Sequence, residues 1–266
     1  GINWFDTAEL YGLGVSERSL AAGLKAAGVG DSEVVVATKW WPLLRTAGNI
    51  PRTIQDRLRC LDGYSIGLYM VHQPFSFSSP EAEMDAMAEL VAAGKIRSVG
   101  VSNYSPARTR RAHQQLAKRG LPLAANQVLF SLLDRQIERD GTLETAKELG
   151  VTIIAYTPLA SGLLSGKYHQ NPELLKHKPF YWRGRLQRDL EKSRPLVKAL
   201  TEIGEKYNAT PAQVALNWVI HFHGDIIVTI PGATNPRQAA ESAGAMRFRL
   251  SEDELARLDE LSRAVK

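Results

Sequence analysis

Seven short apolar runs, each followed by a helical pattern or a long connection, constrain this chain more than anything else in its 266 residues. They cover residues 2–6, 34–39, 66–72, 96–103, 124–128, 152–158 and 226–232. None alternates apolar and polar residues with the period of two that marks a strand with one wet face. The sheet they form is therefore expected to be parallel and covered on both sides. Helix signals fill the intervals. Residues 16–28 begin with a Ser16 cap and stop at Gly28, and Ile54, Leu58 and Leu61 recur at helical spacing before Gly63. Ser79–Pro80, Ser105–Pro106 and Thr210–Pro211 each pair a capping side chain with a proline at the first helical position. The first of these helices presents Met84, Met87, Leu90 and Val91, and the third presents Val214, Ala215, Trp218, Val219 and Phe222. A short helix is expected over 142–150, and Ser251 with Glu254 forms a capping box ahead of Leu255, Leu258 and Leu261.

Such alternation leaves two architectures, an open doubly wound sheet or a (β/α)8 barrel. The open sheet advertises a glycine-rich phosphate turn after its first strand, and no G-x-G-x-x-G occurs here. The reading is a (β/α)8 TIM barrel, one domain over residues 1–266. Seven runs are one fewer than a closed barrel needs, and the chain opens on Gly1 rather than Met. A first βα unit is therefore expected ahead of Gly1, with the strands ending at Asp6 and near Pro231 facing a gap one strand wide. Residues 159–189 carry no recognisable element and are long for a barrel loop.

A net charge of +5 is too mild for a dedicated nucleic-acid binder and suits a small anionic ligand. No apolar run approaches the roughly 18 residues of a membrane span. The lone Cys60 excludes an internal disulfide framework and fits a reducing compartment. The expected location is the cytoplasm, or an organelle stroma if a transit peptide precedes Gly1. Nothing in the sequence specifies an oligomeric state.

In a parallel barrel the functional residues lie at the C-terminal ends of the strands. There the chain places Asp6, Lys39, His72, Ser102 with Asn103, Gln127 and Tyr156, and Tyr11 follows Asp6 by five residues. The intervals from Asp6 to Lys39 and from Lys39 to His72 are equal, one strand plus one helix plus two loops. Singly, each has a bland role: a helix cap, a solvated charge, a core histidine. Together, in register, they make a site. A phenol with an ordinary pKa of about 10 is a poor proton donor at neutral pH. An ammonium beside it stabilises the phenolate. Asp6 keeps Lys39 charged and oriented, and His72 can bond the carbonyl oxygen that Tyr11 protonates. The set does oxygen acid–base chemistry without a metal or an acyl-transfer nucleophile. Asn103 and Gln127 suit a carboxamide, Tyr156 a flat heteroaromatic ring, and Trp40 or Trp41 a substrate wall. His221 and His223 point apart and make a poor metal pair, and His113, His169 and His177 have no partner by spacing.

FDTAELYG, VVVATKW, LYMVHQP, VGVSNYS, ANQVLFS, AYTPLASGLLSGKY and IPGATNPRQAAES together resemble the aldo-keto reductases, from residue 1 to about 260. The likeness is to the branch with the IPGA phrase, which includes potassium-channel β subunits and plant and bacterial reductases. It implies a (β/α)8 barrel that uses NADP(H) to reduce a small aldehyde or ketone, with Tyr11 as general acid and Asp6, Lys39 and His72 as its partners. It further implies that Ser102, Asn103 and Gln127 hold the nicotinamide amide and that Tyr156 stacks on the ring. By the same likeness Pro158, Leu159, Ser161, Gly162, Leu164 and Lys167 line the cofactor; Lys167, and Arg185 in a W-R-G-R phrase suited to a clamp, are expected on the pyrophosphate. Ile230, Gly232, Thr234, Gln238, Glu241 and Ser242 line its adenosine end. Many members have Lys-Ser where this chain has Gly232-Ala233, Arg where it has Gln238, and Glu-Asn where it has Glu241-Ser242. Thr234, Arg237 and Gln238 are then the residues expected to serve a 2′-phosphate. The alternative reading is a nicotinamide-binding regulatory subunit of the channel-β kind with slow turnover.

Overall fold

The structure is a computed structural model describing residues 2–177 and 180–265, without the side chains of His177, Phe180, Tyr181, Trp182, Arg185 and Leu186. Its strands are β1 (Trp4–Asp6), β2 (Val35–Trp40), β3 (Ile66–Val71), β4 (Ile96–Ser102), β5 (Leu123–Leu129), β6 (Thr152–Tyr156) and β7 (Ile227–Ile230). They form one sheet in chain order, β1 to β7. Sequential order with a helix after each strand is the topology of the (β/α)8 class, of which the described residues hold seven strands. The chain divides into two compact units, residues 1–128 with 140–153, and residues 129–139 with 154–266.

The first unit contains β1 to β5 with α1 (Val15–Ala26), α2 (Asn49–Cys60), α3 (Pro80–Ala92), α4 (Pro106–Ala117) and α5 (Thr142–Leu149). Its register explains why the sequence aims several polar groups at one place. Asp6 pairs with Ala37, Lys39 with Met70, Gly100 with both Met70 and Ala125, and Ser102 with Gln127. Paired residues on parallel strands share a face, and so do residues two apart on one strand. Asp6, Lys39, Ser102 and Gln127 therefore emerge on the same face. Gly100 has to be glycine for this to close, because a Cβ there would stand 2.8 Å from Met70 Cγ. Ser79 and Ser105 cap α3 and α4 as expected, each accepting a backbone N–H. Met84, Met87 and Leu90 are buried along α3.

One cap is corrected. Ser16 does not open α1; the helix begins at Val15 behind Gly14, whose φ of 91° only glycine adopts without strain. Ser16 Oγ instead accepts from Thr7 Oγ1 at 2.8 Å.

The second unit contains α6 (Lys167–Gln170), α7 (Phe180–Tyr207), α8 (Pro211–His221), α9 (Pro236–Gly244) and α10 (Glu252–Arg263) with β7 and the end of β6. Here the expectation of an element-free stretch over 159–189 is overturned. It carries a 3-10 turn at Ala160–Ser165, then α6, a second 3-10 turn at Pro172–His177 and the first part of α7. Pro195 inside α7 and the charges ahead of it break the apolar period that would have announced a 28-residue helix. Leu196, Leu200 and Ile203 of α7, Trp218 and Val219 of α8 and Leu258 of α10 form the buried interior. The capping boxes of α8 and α10, on Thr210 and Ser251, form as read.

Candidate active site

Asp6 ends β1 and Lys39 is the penultimate residue of β2. Lys39 Nζ lies 2.5 Å from Asp6 Oδ1 and donates to the Thr7 carbonyl at 2.8 Å. The lysine side chain is wholly buried and the aspartate nearly so. Burial holds the ammonium below its usual pKa and the carboxyl above its own, and their mutual attraction offsets part of each shift. The second Asp6 oxygen accepts from Gln127 Nε2 at 2.9 Å. Sequence reasoning missed this use of Gln127, which no short-range pattern signals.

Tyr11 sits on the loop that leaves β1. Thr7 N donates to the Ala37 carbonyl at 2.9 Å and Glu9 N to that of Lys39 at 3.2 Å, so the loop is laced to β2. Gly12, Leu13 and Gly14 then all take positive φ, turning the chain into α1. A Cβ on Gly14 would meet Cys60 Sγ at 2.8 Å. The turn leaves Tyr11 at the rim, 43 % exposed. Lys39 Nζ is 5.1 Å from the centroid of its ring, and the His72 ring meets it edge-on at 5.8 Å.

His72 follows β3, its N–H donating to the Trp40 carbonyl at 3.0 Å. Burial, reinforced by the charge of Lys39, pushes the imidazole down to about 4, so it is neutral near pH 7. Its buried Nδ1 has no hydrogen-bond partner among the described residues. Trp41 stands edge-on to His72 at 5.3 Å and to Phe75 at 5.5 Å, while Trp40 is fully buried in the core. Of the two tryptophans, Trp41 is the one beside the candidate site. Glu9, unnoticed in the sequence although it stands between Asp6 and Tyr11, accepts from Trp41 N at 3.0 Å and Arg45 Nη1 at 2.8 Å.

The ends of β4 and β5 bring the amide-bearing residues together. Ser102 Oγ donates to the Gln127 carbonyl at 2.9 Å, and Asn103 Nδ2 donates to Ser102 Oγ at 3.1 Å. Asn103 has a φ of 58°, a left-handed conformation that asparagine tolerates better than most residues. The structure thus gathers seven of the residues read from the sequence, Asp6, Tyr11, Lys39, His72, Ser102, Asn103 and Gln127, in the first unit.

The others lie in the second unit. Tyr156 ends β6, half-buried, its phenol pushed up by burial and by Asp134. Pro158 is buried, Leu159 half-buried and Leu164 buried in the turn that follows, where Ser161 and Gly162 adopt φ of 56° and 94°. A Cβ on Gly162 would meet Lys167 Cε at 2.9 Å, so the lysine stem lies over this turn, its ammonium 4.9 Å from the Tyr168 ring centroid. Arg185 falls within α7, its side chain outside the described residues. Ile230 ends β7, and Gly232 beyond it has open space where a Cβ would be. Thr234 N donates to Gln238 Oε1 at 2.8 Å, and Asn235 caps α9 through Gln238 N at 3.0 Å. Glu241 is tied to Thr210 Oγ1 at 2.7 Å, with Ser242 half-buried beside it.

Among the described residues no cluster of three His, Cys, Asp or Glu side chains could hold a metal ion, and no helix is long and apolar enough to cross a membrane.

Residues 1–263 match the model of the Aldo/keto reductase family. A chloroplastic pyridoxal reductase of Arabidopsis thaliana is 36 % identical over 97 % of this chain and 72 % of its own length. An uncharacterised oxidoreductase of Mycobacterium tuberculosis is 37 % identical over 100 % of this chain and 79 % of its own. A Klebsiella pneumoniae aldo-keto reductase solved with NADPH superposes with a TM-score of 0.75 at 26 % identity, over 98 % of this chain and 80 % of that one.

Proposed function

The chain belongs to the aldo/keto reductase family, and on that footing we propose that it reduces an aldehyde or ketone to the alcohol with NADPH, Tyr11 giving the proton. One observation carries this reading: a wholly buried Lys39 ammonium, held by Asp6 and lying 5.1 Å from the centroid of the Tyr11 ring.

The reduced nicotinamide, when bound, supplies the hydride to the carbonyl carbon. As negative charge grows on the carbonyl oxygen, the Tyr11 hydroxyl delivers its proton there. The phenolate left behind is stabilised by Lys39, whose position is set by Asp6 Oδ1 and the Thr7 carbonyl. Gln127 occupies the other Asp6 oxygen and keeps the carboxylate from turning away. His72, neutral at working pH, serves as a donor to the same carbonyl oxygen without competing for its proton.

Each unit, taken by itself, carries residues that suit part of a phosphorylated dinucleotide. Ser102 and Asn103 offer amide and hydroxyl groups for the nicotinamide carboxamide. In the second unit Lys167 is an exposed ammonium beside an open-φ turn, and Arg237 is exposed on the first turn of α9. A helix N-terminus with an adjacent arginine attracts phosphate, which suits a 2′-phosphate and favours NADPH over NADH. Pyridoxal, the aldehyde in the name of the Arabidopsis relative, belongs in the substrate panel.

The test is NADPH consumption across a panel of aldehydes and ketones. Turnover of at least one carbonyl with matching alcohol production supports the reading; NADPH binding without turnover of any panel member contradicts it.

A further inference from the structure

Two charged side chains of the first unit take no part in this chemistry, yet they join the three loops that surround it. Glu9 lies on the β1 loop, two residues before Tyr11, with its carboxylate almost buried. One of its oxygens accepts from Trp41 N at 3.0 Å and the other from Arg45 Nη1 at 2.8 Å, both on the β2 loop. The Arg45 carbonyl in turn accepts from Phe77 N at 2.9 Å, and Ala47 N donates to Ser78 Oγ at 2.9 Å, both on the β3 loop. That loop is pinned from beneath, where Ser76 Oγ donates to the buried Glu83 at 2.6 Å. Arg45 is thus the common member: its side chain holds the loop of Tyr11, its own segment carries Trp41, and its backbone holds the loop of Phe75.

We propose that the Glu9–Arg45 pair is a clamp that positions the Trp41–Phe75 wall, and that it thereby sets a preference for bulky aromatic carbonyl substrates over small ones. The proposal rests on the carbonyl-reduction reading above. Trp41 and Phe75 extend the ring face of His72 outwards, each edge-on to the next. Leu43, Leu44 and Phe77, on the same two loops, are large apolar side chains left exposed. A substrate large enough to cover this wall gains free energy with the apolar area it removes from water, and it also gains edge-to-face ring contacts. A small carbonyl held by Tyr11 and His72 covers much less of the wall.

Neither Glu9 nor Arg45 is placed to touch the reacting atoms; both are positioning residues. An exposed ion pair contributes little, but here the Glu9 end is buried. Removing Arg45 leaves a nearly buried carboxylate with Trp41 N as its remaining described partner. The carboxylate then recovers solvation by swinging outwards, and Trp41 moves with it. Lysine at position 45 keeps the charge with a single flexible donor and restores part of the geometry.

The experiment is steady-state kinetics with naphthaldehyde and propanal for wild type, Arg45→Met, Arg45→Lys and Glu9→Gln. It is read beside amide hydrogen exchange at Trp41 and Phe77. Arg45→Met is expected to raise KM for naphthaldehyde about tenfold, the order expected for one charge-assisted hydrogen bond. KM and kcat for propanal should stay near wild type, exchange at the two amides should quicken, and Arg45→Lys should recover most of the lost affinity. Equal changes for both aldehydes, or none, in variants of an active wild type overturn the clamp and leave the reductase reading standing. A wild type that turns over neither aldehyde nor any other carbonyl overturns the reductase reading and the substrate preference with it.

Discussion

Gln127 Nε2 donates across 2.9 Å to Asp6 Oδ2 and joins residues 121 positions apart, on the fifth strand and the first. The two Asp6 oxygens are thereby divided, one facing Lys39 and one facing Gln127. The carboxylate cannot rotate without losing one of them, so the direction of the lysine is fixed from two sides.

Replacing Gln127 by leucine removes a donor from a buried carboxylate while roughly conserving volume. The expected loss is about 1–3 kcal/mol of stability, read from urea denaturation near pH 7. Carbonyl reduction should fall with it, because Lys39 is no longer held. An unchanged urea midpoint would show that Asp6 does not depend on this amide.

Much of the fold could be read because the relevant physics is local. Ser79, Ser105, Thr210 and Ser251 announce their helices within four residues, and all four accept the backbone N–H they were expected to accept. Asp6 and Lys39 were readable as a pair because their equal place at strand ends survives the two-residue stagger between neighbouring strands. Ser16 misled because three consecutive positive-φ residues, Gly12 to Gly14, moved the helix start ahead of it. The helix α7 was hidden by Pro195 and by the charges of its first turns. Gln127 meets Asp6 from a strand that is not its neighbour in the sheet, and Glu9 meets Arg45 between two strand-end loops; no local pattern encodes either contact.

His72 ties stability to pH. Its folded pKa is about 4 against an ordinary 6.5, so between these values the unfolded chain binds the extra proton. The stabilisation is whole above pH 6.5 and is lost as pH falls towards 4. His72→Gln should flatten this acid limb in denaturation midpoints measured from pH 7 to pH 4. A limb of the same steepness in the variant would assign it elsewhere. In nuclear magnetic resonance titration of the wild type, the His72 ring signals should stay unshifted down to about pH 5.

Lys39→Met breaks a buried pair and leaves the Asp6 carboxylate with Gln127 as its remaining described side-chain partner. Removal of one partner from such a pair costs about 3–5 kcal/mol. Asp6 already titrates above its usual 3.8, and the variant raises it further, so protonation relieves the penalty. A carboxyl whose folded pKa is raised stabilises the fold below its unfolded value and loses that contribution as pH rises. The stability gap from wild type should therefore be smallest at acid pH and widen towards neutrality. Reduction should be crippled throughout. A gap independent of pH would contradict the charge account.

The central claim is that Tyr11 is the proton donor of a carbonyl reductase, and Tyr11→Phe tests it most directly. The hydroxyl is needed only as charge develops on the carbonyl oxygen, so its loss acts on the transition state and spares the cofactor. The measurement is NADPH consumption with the best carbonyl of the panel, alongside fluorescence titration of NADPH binding, for wild type and variant. The account predicts that turnover falls by about a hundredfold or more, in line with the loss of a general acid, while NADPH affinity is unchanged. Turnover within a few-fold of wild type would contradict it.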